Sequence, residues 1–212
     1  KEIEFLCTIC EPDFGYITNF GKAHLEGFGG FTGVIKGKCE LYTYLKEHHK
    51  IAFVNPDDAL QMEKTKGLQT IYFKTADLQF LSLNPYVKIS YKNQSIQSNL
   101  IGNYNYANLA AAITIGNYFS VSAEAMKAAI ESYVPKNNRS QIITTKKNEI
   151  ILDAYNANPS SMQVALENFA AIQTVDSVVI LGDMFELGTE SLHEHQTIVD
   201  LATSFNFDHI FF

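Results

Sequence analysis

The last third of the chain alternates between two periodicities, and this restricts its fold more than any other feature. Short apolar runs at 149–153, 177–181 and 208–212 read as strands, with helical patterns at 159–172 and 191–205 between them. Strands separated by helices of that length are joined by crossovers, which sets them parallel in one sheet with helices on its faces. Ligands of such sheets gather at the carboxyl ends of the strands, so the loops leaving them are where chemistry is sought. The last strand runs to Phe212, and a doubly wound domain rarely stops after three strands, so this region reads as part of a larger domain.

The upstream region is less regular. A strand-like run at 14–20 leads into a loop with Gly27, Gly29 and Gly30, and a helical pattern follows from Thr32 to His48 with Val34, Ile35, Lys38, Leu41, Tyr42 and Leu45 near one face. Strands are predicted at 51–55 and 69–74, with a helix over 57–64 capped by Asp57 or Asp58 between them. Residues 86–91 and 95–101 flank the polar Lys92-Asn93-Gln94 turn as a hairpin, and helices over 103–119 and 122–133 follow. Pro135-Lys136-Asn137-Asn138 breaks the pattern and divides the chain into 1–136 and 137–212.

Composition excludes several classes. With 16 basic against 23 acidic side chains, the net charge of −7 argues against neutralising a nucleic acid backbone. Apolar runs such as 110–115 are far shorter than the roughly 20 residues of a membrane-spanning helix. Lys1-Glu2-Ile3-Glu4 has neither an initiator Met nor a leader pattern, so the chain reads as the interior of a longer gene product. Cys7, Cys10 and Cys39 are an odd number and read as reduced thiols in a cytoplasmic setting; Cys7 and Cys10 sit in an apolar helical pattern with Phe5, Leu6 and Ile9, which favours core packing over metal binding.

Five segments and one isolated arginine carry candidate chemistry. Gly33 to Cys39 imitates a phosphate loop, but Thr32 stands where the first glycine belongs and Cys39 replaces the hydroxyl, so Lys38 needs another explanation. Ile17 to Gly29 leaves a strand with His24 and Glu26, either metal and proton-transfer groups or a surface pair. Asn105 and Asn108 lie three apart at a helix start, where the amides either share a ligand such as a base edge or serve as caps, a role Asn103 also fits. Asp153 to Pro159 follows a strand: Asp153 can accept from ribose hydroxyls, while Asn158 with Ser160 or Ser161 fits an N-cap. Arg139, in the linker, is either a phosphate clamp or a surface charge. Gly182 to Gly188 carries Asp183 and Glu186, which can receive an ammonium or order the loop; His193 and His195, two apart on a helix, fall on different faces and do not pair on a metal.

Together, Ile17-Thr-Asn-Phe-Gly-Lys-Ala-His-Leu-Glu-Gly-Phe-Gly29, the Lys38-Cys-Glu-Leu-Tyr42 helix, Asn105-Tyr-Ala-Asn-Leu-Ala-Ala-Ala112, Asp153-Ala-Tyr-Asn-Ala-Asn-Pro159 and Gly182-Asp-Met-Phe-Glu-Leu-Gly188 resemble the ATP-dependent Mur ligases of peptidoglycan synthesis. The resemblance spans nearly the whole chain. It implies an α/β fold: the later part of a central ATP-binding domain, mostly parallel sheet plus hairpin, over 1–136, and the first part of a Rossmann-like domain over 137–212. It also implies an enzyme that activates a carboxylate as an acyl phosphate with ATP and Mg²⁺, for attack by an amine. The runs around His24 and Asn156 resemble the branch that adds D-alanyl-D-alanine to UDP-N-acetylmuramoyl-tripeptide, a monomer when complete.

By the same resemblance His24 is a Mg²⁺ ligand and Lys38 a carbamylated lysine that holds a second Mg²⁺, the two being the catalytic and metal residues. Asn105 and Asn108 lie against adenine, Arg139 near the phosphates and Asp153 near the ribose. Asn156, Asn158, Asp183 and Glu186 belong to the dipeptide side. Tyr104 departs from the family, which usually has His there, and the phosphate loop falls upstream of Lys1, so residues 1–212 alone are expected to be inactive. Folylpolyglutamate-type and cyanophycin-type ligases, and a non-catalytic nucleotide-binding domain, are the alternatives.

Overall fold

The computed structural model describes residues 2–73, 77–172 and 175–212; the Lys74 end of the strand predicted at 69–74 lies outside them. Helix α1 (Glu2–Cys10) precedes β1 (Phe14–Tyr16), the short α2 (Leu25–Phe28), α3 (Phe31–Glu47), β2 (Ile51–Val54), α4 (Ala59–Lys64) and β3 (Gln69–Tyr72). The three strands form a parallel sheet in the order β1-β2-β3, with Gly15 opposite Ala52 and Ala52 opposite Thr70. Helix α3 covers the sheet through Tyr42 and Leu45, which pack with Ile17, Phe20, Ala52 and Val54. The cap of α4 is Asp58, whose carboxylate accepts from the amides of Leu60 and Gln61.

Two sequence expectations are corrected in this half. The run at 14–20 is a strand only to Tyr16, after which the backbone turns irregular toward His24. The helical pattern at the start is real, but among its apolar residues Cys7 is buried while Phe5, Leu6, Ile9 and also Cys10 are exposed, so core packing holds for one cysteine.

An antiparallel meander follows: β4 (Leu78–Leu83), β5 (Tyr86–Tyr91) and β6 (Gln94–Ile101). The hairpin of β5 and β6 matches the expectation, whereas β4 was not read. Its apolar-polar alternation is broken by the adjacent Phe80 and Leu81, where the pairing register also shifts, between Phe80 and Ser82. Helices α5 (Asn105–Tyr118) and α6 (Ala123–Ser132) close this core through Leu109, Ala110, Ile113 and Met126 against Val87, Ile89 and Ile96.

The second half contains β7 (Gln141–Thr144), β8 (Glu149–Leu152), α7 (Pro159–Ala171), β9 (Val178–Ile180), α8 (Ser191–Ser204) and β10 (His209–Phe211). Strands β9 and β10 are parallel, as the crossover pattern requires. Strand β8 departs from it: its ladder is antiparallel and to β7. The turn between them explains why, since the hydroxyl of Thr145 accepts from the amides of Lys147 and Asn148, closing a tight hairpin that the apolar pattern does not signal. The core of this half also takes in Leu25 and Val34, which pack with Leu166, Val179, Met184, Leu187, Ile198 and Ala202. The whole is a mixed α/β structure with parallel and antiparallel sheets. No helix among the described residues is long and apolar enough to cross a membrane.

Candidate functional site

His24 sits at the entry to α2 with φ 55°, a left-handed conformation that turns the chain back on itself. Gly33 and Gly37 make room for this turn on α3. A Cβ on Gly33 would come within 1.7 Å of the Phe28 carbonyl oxygen, and one on Gly37 within 2.4 Å of the Phe28 ring. The turn meets the 182–188 loop from the other half. The amide of Glu26 donates to the carbonyl of Glu186 at 2.9 Å, and Nδ1 of His24 contacts Oε2 of Glu186. His24, Glu26, Gly27, Phe28, Glu186 and Glu2 of α1 line a cavity of about 660 Å³. An imidazole and three carboxylates there suit cations or hydrogen-bond donors.

Lys38 lies behind this turn. Its Nζ donates to the carbonyl of Asn19 at 2.9 Å, and the Asn19 side chain accepts from the amide of Gly21, so the lysine braces the segment leading to His24. Burial lowers its pKa, leaving more neutral amine than a surface lysine has. The amide of Lys22 donates to Ser160 Oγ at the start of α7, and its ammonium reaches Glu194 Oε1 at 2.6 Å.

A second group forms round the linker. Ser140 Oγ donates to Asp153 Oδ2 at 3.2 Å and lies 2.6 Å from the hydroxyl of Tyr104. The Arg139 guanidinium stacks over the Tyr155 ring, 4.0 Å from its centroid, and the Asn138 carbonyl accepts from the amides of Ala154 and Tyr155. Arg139 and Asp153 are thus brought together, both exposed. Asn105 and Asn108 do share a face, but their amides are turned to the protein: Asn105 Nδ2 donates to the carbonyl of Ile101 and Asn108 Nδ2 to Asn105 Oδ1. Neither Asn103 nor Asn105 caps the helix; its N-cap is Tyr104, with no side-chain cap bond.

Among the remaining residues, Asn158 caps α7 in a reciprocal capping box with Ser161. Asn156 and Asp183 are exposed. His195, set aside on the sequence because it does not pair with His193, holds the 182–188 loop. Its Nε2 accepts from the amide of Met184 at 3.0 Å while Nδ1 donates to the Ser191 carbonyl at 2.8 Å, so its hydrogen sits on Nδ1. Sequence reading also missed Ser140 and the pairing of Lys22 with Glu194; the position of Ser140, between the linker break and a strand, was its one available signal. No three His, Cys, Asp or Glu side chains among the described residues converge as a metal cage. Mg²⁺ is ordinarily held by one or two carboxylates, with phosphate oxygens and water completing its shell, so the carboxylates beside His24 fit that ion.

Comparisons with known proteins bear on both halves. Residues 1–116 match the model of the Mur ligase middle domain, and 138–212 that of the Mur ligase glutamate ligase domain. The UDP-N-acetylmuramoyl-tripeptide--D-alanyl-D-alanine ligase of Bacillus subtilis is 29% identical over 91% of this chain and 44% of its own length. The Escherichia coli ligase of that name is 29% identical over 99% of this chain and 49% of its own. Among solved structures, MurF from Acinetobacter baumannii superposes with a TM-score of 0.84 at 29% identity, over 98% of this chain and 48% of that one. The MurF ligase of Thermotoga maritima in complex with ADP, at 22% identity and a TM-score of 0.81, shares the fold over 99% of this chain and 50% of that one. The chain spans about half the length of the curated relatives it matches.

Proposed function

Because the chain belongs to the Mur ligase family, we propose that it is the central part of an ATP-dependent ligase that joins D-alanyl-D-alanine to UDP-N-acetylmuramoyl-tripeptide in cell-wall synthesis. The observation that carries this reading is the clasp between the His24 turn and the Glu186 loop, which borders one cavity with groups from both halves. The relatives named for that reaction support the choice of substrates. Residues 1–136 then belong to the nucleotide-binding domain and 137–212 to the domain that receives the dipeptide. The three free cysteines support a cytoplasmic setting, and a monomer is the expected state.

ATP, when bound, supplies the phosphoryl group that activates the tripeptide carboxylate, and Mg²⁺ would neutralise phosphate charge during that transfer. His24 would hold one ion. Lys38, whose burial favours the neutral amine that takes up carbon dioxide, would hold another as a carbamate. Arg139 would steady the phosphates and Asp153 would accept from the ribose hydroxyls. Asn105 and Asn108 would shape the wall beside the base, their mutual hydrogen bond fixing which edges remain for it. Glu186 and Asp183, with Asn156 and Asn158, would border the dipeptide side, where an ammonium meets carboxylates.

The test is phosphate release by the purified full-length enzyme. Turnover that requires both UDP-N-acetylmuramoyl-tripeptide and D-alanyl-D-alanine supports the reading. Turnover with glutamate and a folate or cyanophycin primer instead moves the chain to another branch, and nucleotide binding without any phosphate release would make it a non-catalytic module.

A further inference from the structure

Tyr104, Ser140 and Asp153 come from three separate pieces of the chain: the turn before α5, the linker, and the segment after β8. Ser140 has one hydroxyl hydrogen, and its bond to Asp153 uses it. The contact at 2.6 Å between Ser140 and Tyr104 therefore has the phenol as donor. Burial raises the Tyr104 pKa, so the phenol keeps the proton it donates. The chain of donors ends on the carboxylate, and each bond polarises the next.

Neighbouring contacts hold both ends of this chain. On the Tyr104 side, the amide of Asn103 donates to Asn168 Oδ1 of α7, and a Cβ on Gly102 would fall 2.5 Å from the Tyr104 ring. Gly102 has φ 89°, so a side chain there is disfavoured by the backbone as well. On the linker side, Asn138 and Ser140 have φ 56° and 46°, conformations that residues other than glycine hold only when fixed by their surroundings. The Asn138 carbonyl and the Ser140 hydroxyl supply that fixing, both by bonding to residues 153–155.

We infer that Tyr104 is a positioning residue for the nucleotide: through Ser140 it orients the Asp153 carboxylate for the ribose hydroxyls. This rests on the proposed role of Asp153. It assigns a function to the hydroxyl that distinguishes Tyr104 from the histidine usual in the family, beyond the contact its ring makes.

The experiment compares Tyr104→Phe, Ser140→Ala and Asp153→Asn in the full-length ligase, with ATP and 2′-deoxyATP as alternative substrates. Tyr104→Phe should raise the KM for ATP by roughly three- to tenfold, the range for one lost hydrogen bond. The same change should raise the KM for 2′-deoxyATP, which offers one ribose hydroxyl in place of two, by less, and leave that for D-alanyl-D-alanine within about twofold, so that discrimination between the two nucleotides falls. Ser140→Ala should match it, and the Tyr104→Phe and Ser140→Ala effects should combine to less than their product. Asp153→Asn altering the KM for ATP while Tyr104→Phe and Ser140→Ala leave both it and the discrimination unchanged would overturn the inference and spare the role of Asp153. Asp153→Asn without effect on ATP would remove that role and the inference together. If Tyr104→Phe does not fold, Ser140→Ala decides by the same readout.

Discussion

The ammonium of Lys22 lies 2.6 Å from the carboxylate of Glu194, a residue only 4% exposed on α8 and 172 residues away in sequence. Lys22 itself is about half exposed, so the buried partner has most to lose when the pair is broken. Lys22→Ala, which leaves a buried carboxylate unpaired, should therefore destabilise the chain by about 1–3 kcal/mol, and Glu194→Gln by less. Urea titration of the two variants and the double variant measures this; equal costs would contradict it.

Lys38→Ala in the full-length enzyme should abolish ligation to within the background, and added short carboxylates or bicarbonate should restore part of it by replacing the missing anion. Lys36, exposed on another face of α3, serves as the control: Lys36→Ala should lose little activity. A fully active Lys38→Ala enzyme would eliminate the carbamate role.

His195→Ala should unpin the 182–188 loop. The amide of Met184, a residue only 3% exposed, would lose its acceptor at a cost of about 1–3 kcal/mol, and its hydrogen exchange should accelerate. His195→Gln, which can still present an acceptor, should fall between. In the full-length enzyme the KM for D-alanyl-D-alanine should rise more than that for ATP, and the reverse order would count against placing the loop on the dipeptide side.

Tyr42 is 2% exposed, and its hydroxyl has no hydrogen-bond partner among the described residues. Burial pushes its pKa upward, the mark of a polar group without compensation. Tyr42→Phe removes the hydroxyl and keeps the ring, so it should stabilise the chain by about 1–2 kcal/mol. Lower stability in a denaturant titration would mean that the hydroxyl has a partner.

Asp208 joins the starts of β9 and β10, accepting from the hydroxyl of Ser177 at 2.8 Å and from its amide at 2.7 Å. These bonds hold its pKa below the ordinary 3.8. The sign follows from linkage: the folded form binds the proton less readily, so the stabilisation is complete above 3.8 and is lost as pH falls through the lower folded value. Wild type should thus be more stable than Asp208→Asn at neutral pH, and the gap measured by thermal melts should close in strong acid.

Much of this architecture is legible locally. The alternation of apolar runs and helical patterns identified α7, α8, β9 and β10 and the parallel pairing of the last two, because crossover handedness and burial on one face leave few other arrangements. Asp57 and Asp58 were readable as the two candidate caps of α4, and Asn158 as a cap of α7, because a cap depends on residues within one turn. The motif residues His24, Asp153 and Glu186 were placed on loops after strands for the same local reason.

Tertiary structure decided what those loops face. Periodicity states that a surface is buried and is silent on what buries it, so nothing near Leu25 or Val34 announces that they complete the core of the second half. The pairing of β8 with β7 turned on one hydroxyl in a polar turn, and the meeting of His24 with Glu186 on a closure across 162 residues. Asn105 and Asn108 show the same limit at short range: their spacing put both amides on one face, and only the packed helix showed that they bond to each other and to the Ile101 carbonyl. A side chain's spacing is a property of the chain, whereas its partner is chosen by whichever donors and acceptors the whole fold brings within about 3 Å.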